Sequence, residues 1–168
     1  MMRIEGLDLS LTATGIALVS GATETIQPHT RGDARLAEIV SRLADLWMAD
    51  EPDLIALEDL LVGPRNPAAG PLGMAHGAVR LTLWQLGTPI LLVAPSKLKV
   101  YAAGSGRADK ARMRAALAEH SRVDDVPTMD HNQVDAAWLR HLAYDLAGTP
   151  TVAVPDRHRR ALDGLTLP

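Results

Sequence analysis

The sequence predicts an α/β fold, a mixed five-stranded sheet built in the order β-β-β-α-β-α-β-α with helices on both faces. Three observations carry this expectation. Two strand-like stretches lie close together at the start, residues 3–9 and 14–19, and 22–28 completes an antiparallel meander. A segment of helical period then leads to Leu54-Ile55-Ala56-Leu57, short, apolar and continuous as a buried parallel strand should be. Beyond it helical and strand patterns alternate, as they do where parallel strands are joined through helices.

The elements follow in order. Asp33 is placed to cap a helix in which Leu36, Ile39, Val40, Leu43, Leu46 and Trp47 recur at helical spacing. Pro52 stops that helix, and Glu58 ends the strand after it. Residues 63–71 hold three prolines and two glycines and read as a loop. A helix is expected over 72–86, its Leu72, Met74, Val79, Leu83 and Leu86 forming a core or dimer face. The strand Pro89-Ile90-Leu91-Leu92-Val93 comes next, then helices at about 108–119 and 131–147. Trp84 and Trp138 read as core residues. The chain is expected to be one domain over 1–147, and the sequence leaves open the order of the Pro/Gly-punctuated tail 148–168.

Composition narrows the function. The absence of cysteine excludes disulfides, thiolate metal sites and cysteine nucleophiles. No apolar run approaches the roughly 20 residues needed to span a bilayer. No basic region precedes a signal-peptide core, so the expected location is the cytoplasm. A net charge of -3 does not announce a nucleic-acid binder, yet charge can be local. Residues 95–114 carry Lys97, Lys99, Arg107, Lys110, Arg112 and Arg114 against one acid, Asp109. Such a strip suits salt-dependent, largely sequence-independent binding to phosphates. Within it Gly104-Ser105-Gly106 would let a backbone approach a phosphate closely.

Three acids fall where chemistry is expected. A right-handed crossover sets the first and fourth strands side by side, so Asp8 and Glu58 should end next to each other. Ligand sites in open α/β sheets gather at such strand ends. The helix at 131–147 can bring Asp135 over the same edge. Converging carboxylates repel unless a cation lies between them, and hard divalent ions take oxygen ligands. The cluster therefore suggests a Mg²⁺ site for phosphoryl chemistry. Asp130, His131 and Asn132 compete for a fourth ligand position. Taken alone, each acid could equally end a strand or cap a helix.

Four blocks together resemble a known family. They are Gly6-Leu7-Asp8-Leu9-Ser10 with Thr14-Gly15; Pro52-Asp53-Leu54-Ile55-Ala56-Leu57-Glu58; the segment Leu98-Lys99 through Gly104-Ser105-Gly106 to Ala108-Asp109-Lys110; and Asn132-Gln133-Val134-Asp135-Ala136-Ala137. In this order and spacing the chain is similar to RuvC-type Holliday-junction resolvases of the RNase H-like superfamily, phage versions included, over about residues 3–145. The resemblance implies a homodimer that nicks opposing strands of a four-way DNA junction with Mg²⁺, for which Mn²⁺ substitutes. It makes Asp8 a ligand shared by two ions, with Glu58 on one and Asp135 on the other. It places Lys99 and Lys110 near the scissile phosphate and the DNA backbone; the basic strip, read by itself, adds Lys97, Arg107, Arg114, Gly104 and Gly106 as DNA contacts.

Two departures stand out. The family often has an aromatic wedge shortly after the Glu; Leu61 stands there, and the chain has no phenylalanine. Asn132 stands where many relatives have a fourth acid, leaving Asp130 or His131 to replace it. Three other readings remain: a broader flap or branched-DNA endonuclease, a catalytically inactive DNA-binding module of the same fold, and a small-molecule phosphotransferase of the actin-like group. The last usually needs two such domains.

Overall fold

A computed structural model describes residues 2–60, 69–121 and 126–168. Five strands, β1 (Ile4–Asp8), β2 (Thr14–Ala17), β3 (Thr23–Ile26), β4 (Leu54–Glu58) and β5 (Ile90–Val93), make one sheet in the order β3-β2-β1-β4-β5. β1, β2 and β3 pair antiparallel, while β1–β4 and β4–β5 are parallel. The helices are α1 (Asp33–Ala49), α2 (Ala69–Leu86), α3 (Pro95–Ala103), α4 (Lys110–His120), α5 (His131–Leu146) and α6 (Asp156–Arg159), with short 3-10 turns at Val126–Thr128 and Arg160–Leu162. The expected sheet and its two helical faces are present.

Alternation along each strand divides the core in two. Ile4, Leu54, Ala56, Leu91 and Val93 face α3, α4 and α5; Leu7, Ile16, Ile55 and Leu57 face α1 and α2. On α1, Ile39, Leu43 and Trp47 recur every four residues and are buried. One carboxyl shares that side: Glu5 is fully buried, accepting hydrogen bonds from Trp47 Nε1 at 3.1 Å and Val19 N at 3.3 Å.

Several boundaries differ from the sequence reading, each for a local reason. Gly32, at φ 58, is the N-cap of α1, and Asp33 is the first helical residue, where its charge still favours the helix N-terminus. α3 was not expected; Pro95 at its first turn and Gly104 just beyond its end are helix punctuation that the density of lysines obscured. α4 starts at Lys110 because the Asp109 side chain accepts from Arg112 N at 2.8 Å. Arg107 therefore precedes that helix. On α2, Val79 and Leu83 are buried but Met74, Leu81 and Leu86 are exposed, and Trp84 is 77% exposed and no core residue. Trp138 is fully buried, donating to Met113 O. Beyond α5, Val152, Val154, His158 and Ala161 are buried, the three apolar ones within the α3–α5 side of the core.

Candidate active site

Asp8 and Glu58 are the last residues of β1 and β4, one step beyond the paired Leu7 and Leu57. Neighbouring strands lie about 4.8 Å apart, so the two carboxyls leave adjacent strand ends on the side that faces α5. Asp8 pairs across the other ladder with Gly15 of β2. That glycine has a steric cause. A Cβ on Gly15 would lie 2.2 Å from Asn132 O, and one on Gly6 would lie 2.0 Å from Ala136 O. Two glycines in strand interiors thus let the α5 backbone settle directly on β1 and β2, which brings Asp135 to the acids. Sequence reasoning did not assign this role to either glycine, although an interior strand glycine is the signal for a close backbone approach.

The three carboxylates act on one another. Burial, then the charges of Glu58 and Asp135, push Asp8 up to about 8 against the opposing pull of Lys110. Burial and then Asp135 push Glu58 up to about 7, with Lys99 opposing. Burial also raises Asp135, while His131, Lys110 and Lys99 lower it. Lys99 and Lys110 are therefore charges of this site. Among the described residues no three His, Asp or Glu side chains already stand as a ready-made metal cage.

The remaining candidates separate. Asp130 caps α5: its Oδ1 accepts from the amides of Asn132 and Gln133 at 2.9 Å, and its Oδ2 from Thr25 Oγ1 at 2.6 Å. Gln133 completes the capping box by accepting from Asp130 N. Burial would raise Asp130, but the Thr25 hydroxyl and the two amides outweigh it and hold the carboxyl low. Both oxygens thus serve the fold. His131 is exposed on the first turn of α5, and Asn132 is buried there beside Gly15.

The basic strip also divides. Lys97 Nζ donates to Ala161 O at 3.2 Å and to Asp163 O, and Arg114 donates to the carbonyls of Val126 and Met129. Both are expected on DNA; in the fold both donate to backbone carbonyls. Gly104 is the left-handed cap of α3, its N–H bonded to Val100 O, so that amide is not offered to a phosphate. A Cβ on Gly106 would meet Ser96 and Val100 only at ordinary contact distance. Arg107 and Lys110 are exposed. Leu61, the wedge position, lies outside the described residues.

Residues 4–138 match the family model described as crossover junction endodeoxyribonuclease RuvC. The chain belongs to the RuvC family. A RuvC from Halorhodospira halophila is 33% identical over 150 residues, covering 84% of this chain and 90% of that protein. One from Corynebacterium efficiens is 32% identical over 178 residues, covering 95% and 78%. The Thermus thermophilus RuvC structure superposes with a TM-score of 0.67 at 23% identity, covering 89% of this chain and 99% of that one. The same RuvC in complex with Holliday junction substrate gives 0.66 at 21%, covering 91% and 100%. At these identities the two structures speak to the fold.

The RuvC family depends on a divalent metal, and the donors present fit one. Asp8, Glu58 and Asp135 offer only hard oxygens, and burial disfavours their charged forms, a cost that a bound cation would relieve. Among the described residues no helix is long and apolar enough to cross a membrane.

Proposed function

We propose that the protein is a Mg²⁺-dependent, structure-selective endonuclease that resolves four-way Holliday junctions by paired nicks, acting as a homodimer in the cytoplasm of a bacterial or phage-infected cell. The nuclease domain expected over 1–147 takes in the tail as well, since Val152, Val154 and Ala161 lie in the same core. The observation that carries this reading is the convergence of three half-buried carboxyls in a RuvC-family chain, Asp8 and Glu58 at adjacent strand ends and Asp135 on the helix packed against those strands.

Asp8 feels both other acids, and it would hold the metal together with Glu58 and Asp135. Two bound ions would activate a water and stabilise the leaving 3′ oxygen of an in-line displacement. The rest falls to the side chains. Lys99, near Glu58 and Asp135, and Lys110, near Asp8 and Asp135, offset the phosphate's charge and hold it over the acids. A phosphorus–oxygen bond forms to water as the bond to the 3′ oxygen breaks, leaving 3′-hydroxyl and 5′-phosphate ends. With Asp130 occupied in the α5 cap, His131 and Asn132 are the fourth-ligand candidates.

The test is cleavage of a labelled four-way junction beside a flap, a fork and linear duplex, with Mg²⁺ or EDTA. Paired symmetric nicks in the junction, seen only with Mg²⁺, are expected. Equal cutting of every branched substrate would instead support the broader nuclease. Tight binding without cuts in Mg²⁺ or Mn²⁺ would support an inactive binding module.

A further inference from the structure

The helix that carries Lys99 is gripped from behind by the segment 155–163. At its far end, His158 Nδ1 meets Tyr101 O at 3.1 Å and Arg160 Nη2 donates to Gly104 O at 3.2 Å. At its near end, Lys97 Nζ reaches back to Ala161 O and Asp163 O. Between them, Arg159 Nε donates to Asp145 Oδ2 at 3.0 Å, and the same oxygen accepts from Tyr101 Oη at 3.1 Å. The segment thus runs along α3 from its last turn to its first and ties it to α5.

The contacts have a physical logic. The last carbonyls of a helix lack partners and carry partial negative charge, so a guanidinium and an imidazole N–H fit there. Gly104 seats the imidazole, because a Cβ at that position would lie 2.5 Å from His158 Nε2. α3 has only nine residues and no side-chain N-cap, too little to fix itself. Positions 97 and 99 lie about 200° apart around a helix, so one lysine can hold the strap while the other faces the acids.

We propose that residues 155–163 form a positioning strap for the cutting reaction, in which Lys97, His158 and Arg160 fix α3 and thereby set Lys99 beside Glu58 and Asp135. This rests on the endonuclease reading above and gives Lys97 the role of a lock in place of a phosphate contact. None of the three strap residues touches the reacting atoms.

The experiment compares full-length Lys97→Met, Arg160→Met and Lys97→Arg with wild type. It reads junction Kd in EDTA as a function of salt, the single-turnover cleavage rate at saturating protein with Mg²⁺, and amide hydrogen exchange over 98–104. Both Met variants should slow saturated cleavage about tenfold through misplacement of Lys99. Their α3 amides should exchange faster, with Kd within about twofold and the salt slope unchanged, as expected where no phosphate contact is lost. Lys97→Arg, which can still donate to both carbonyls, should keep most of the rate. A Lys97→Met protein that loses about one unit of salt slope yet cuts normally at saturation would make Lys97 a DNA contact and overturn the strap. Faster exchange at an unchanged saturated rate would also overturn it, leaving the segment a stabiliser only. Wild type that cuts no junction would remove the reaction itself, an outcome read from a different arm than any defect confined to the variants.

Discussion

Gly15 lies directly against Asn132, with room for a hydrogen but not a methyl: a Cβ there would stand 2.2 Å from Asn132 O and 2.9 Å from Asn132 Cβ. Gly15 is also the ladder partner of Asp8, so this contact, with that of Gly6 on β1, sets how closely the acid-bearing helix approaches the Asp8 strand end. Gly15→Ala should push α5 outward. Overpacking of this kind costs about 1–3 kcal/mol, or roughly 2–12 °C in Tm for a chain of this size. Cleavage should fall more than about tenfold because the acids separate. Wild-type activity in Gly15→Ala would show that the α5 spacing does not matter to the site.

Asp8→Asn should reduce junction cleavage at least about 10³-fold, since a ligand to both ions is lost. Binding in EDTA should be unchanged or tighter, because a negative charge leaves the DNA-facing edge. The raised Asp8 pKa also makes stability depend on pH. The fold favours the protonated acid, so its contribution is full below about 4 and is lost as pH rises through about 8. Metal-free Asp8→Asn should therefore melt higher than wild type at pH 8, and the difference should vanish near pH 4.

Asp130 and Asp135 should come apart experimentally. Asp130→Ala removes the α5 cap and should lower stability by about 1–2 kcal/mol, with cleavage lowered less than in Asp135→Ala. Asp135→Ala should abolish cutting while leaving urea stability unchanged or raised. Equal loss of cutting from the two, measured at saturating Mg²⁺, would return Asp130 to the ligand set.

Glu5 supplies a pH test away from the acids. Burial pushes it up to about 7 despite its hydrogen bonds from Val19 N and the Trp47 indole. The protonated form is favoured in the fold, so its contribution is present below about 4.5 and is lost as pH rises through 7. In metal-free protein both chains share Asp8 and Glu58, which cancel in a difference. The stability of Glu5→Gln minus wild type should shift towards the variant by up to about 3 kcal/mol between pH 5 and 8. Parallel urea midpoints across that range would sink the assignment.

The sheet and the three acids were legible because both rest on local pattern. Leu54 to Leu57 is apolar on both faces, as only a strand covered by helices on either side can be, and the acids end such runs or lie on a periodic helix. What escaped depends on partners distant in sequence. Lys97, Lys99 and Arg114 look alike in the chain, yet two of them bond backbone carbonyls tens of residues away or across a turn. Asp130 has the same chemistry as Asp135, and only the Thr25 hydroxyl and the helix start reveal its employment. Gly104 reads as a phosphate loop until His158 is seen lying on it.

The parallel pairing of β1 with β4, closed over by α5, also governs when the catalyst exists. Asp8 comes from the first strand and Asp135 from the last long helix. Contacts this remote in sequence form late and slowly compared with local ones. A chain whose α5 has yet to emerge from a ribosome, or yet to dock, has only two of the three acids in place at the strand ends. An enzyme able to sever DNA is thus inert until its folding is complete.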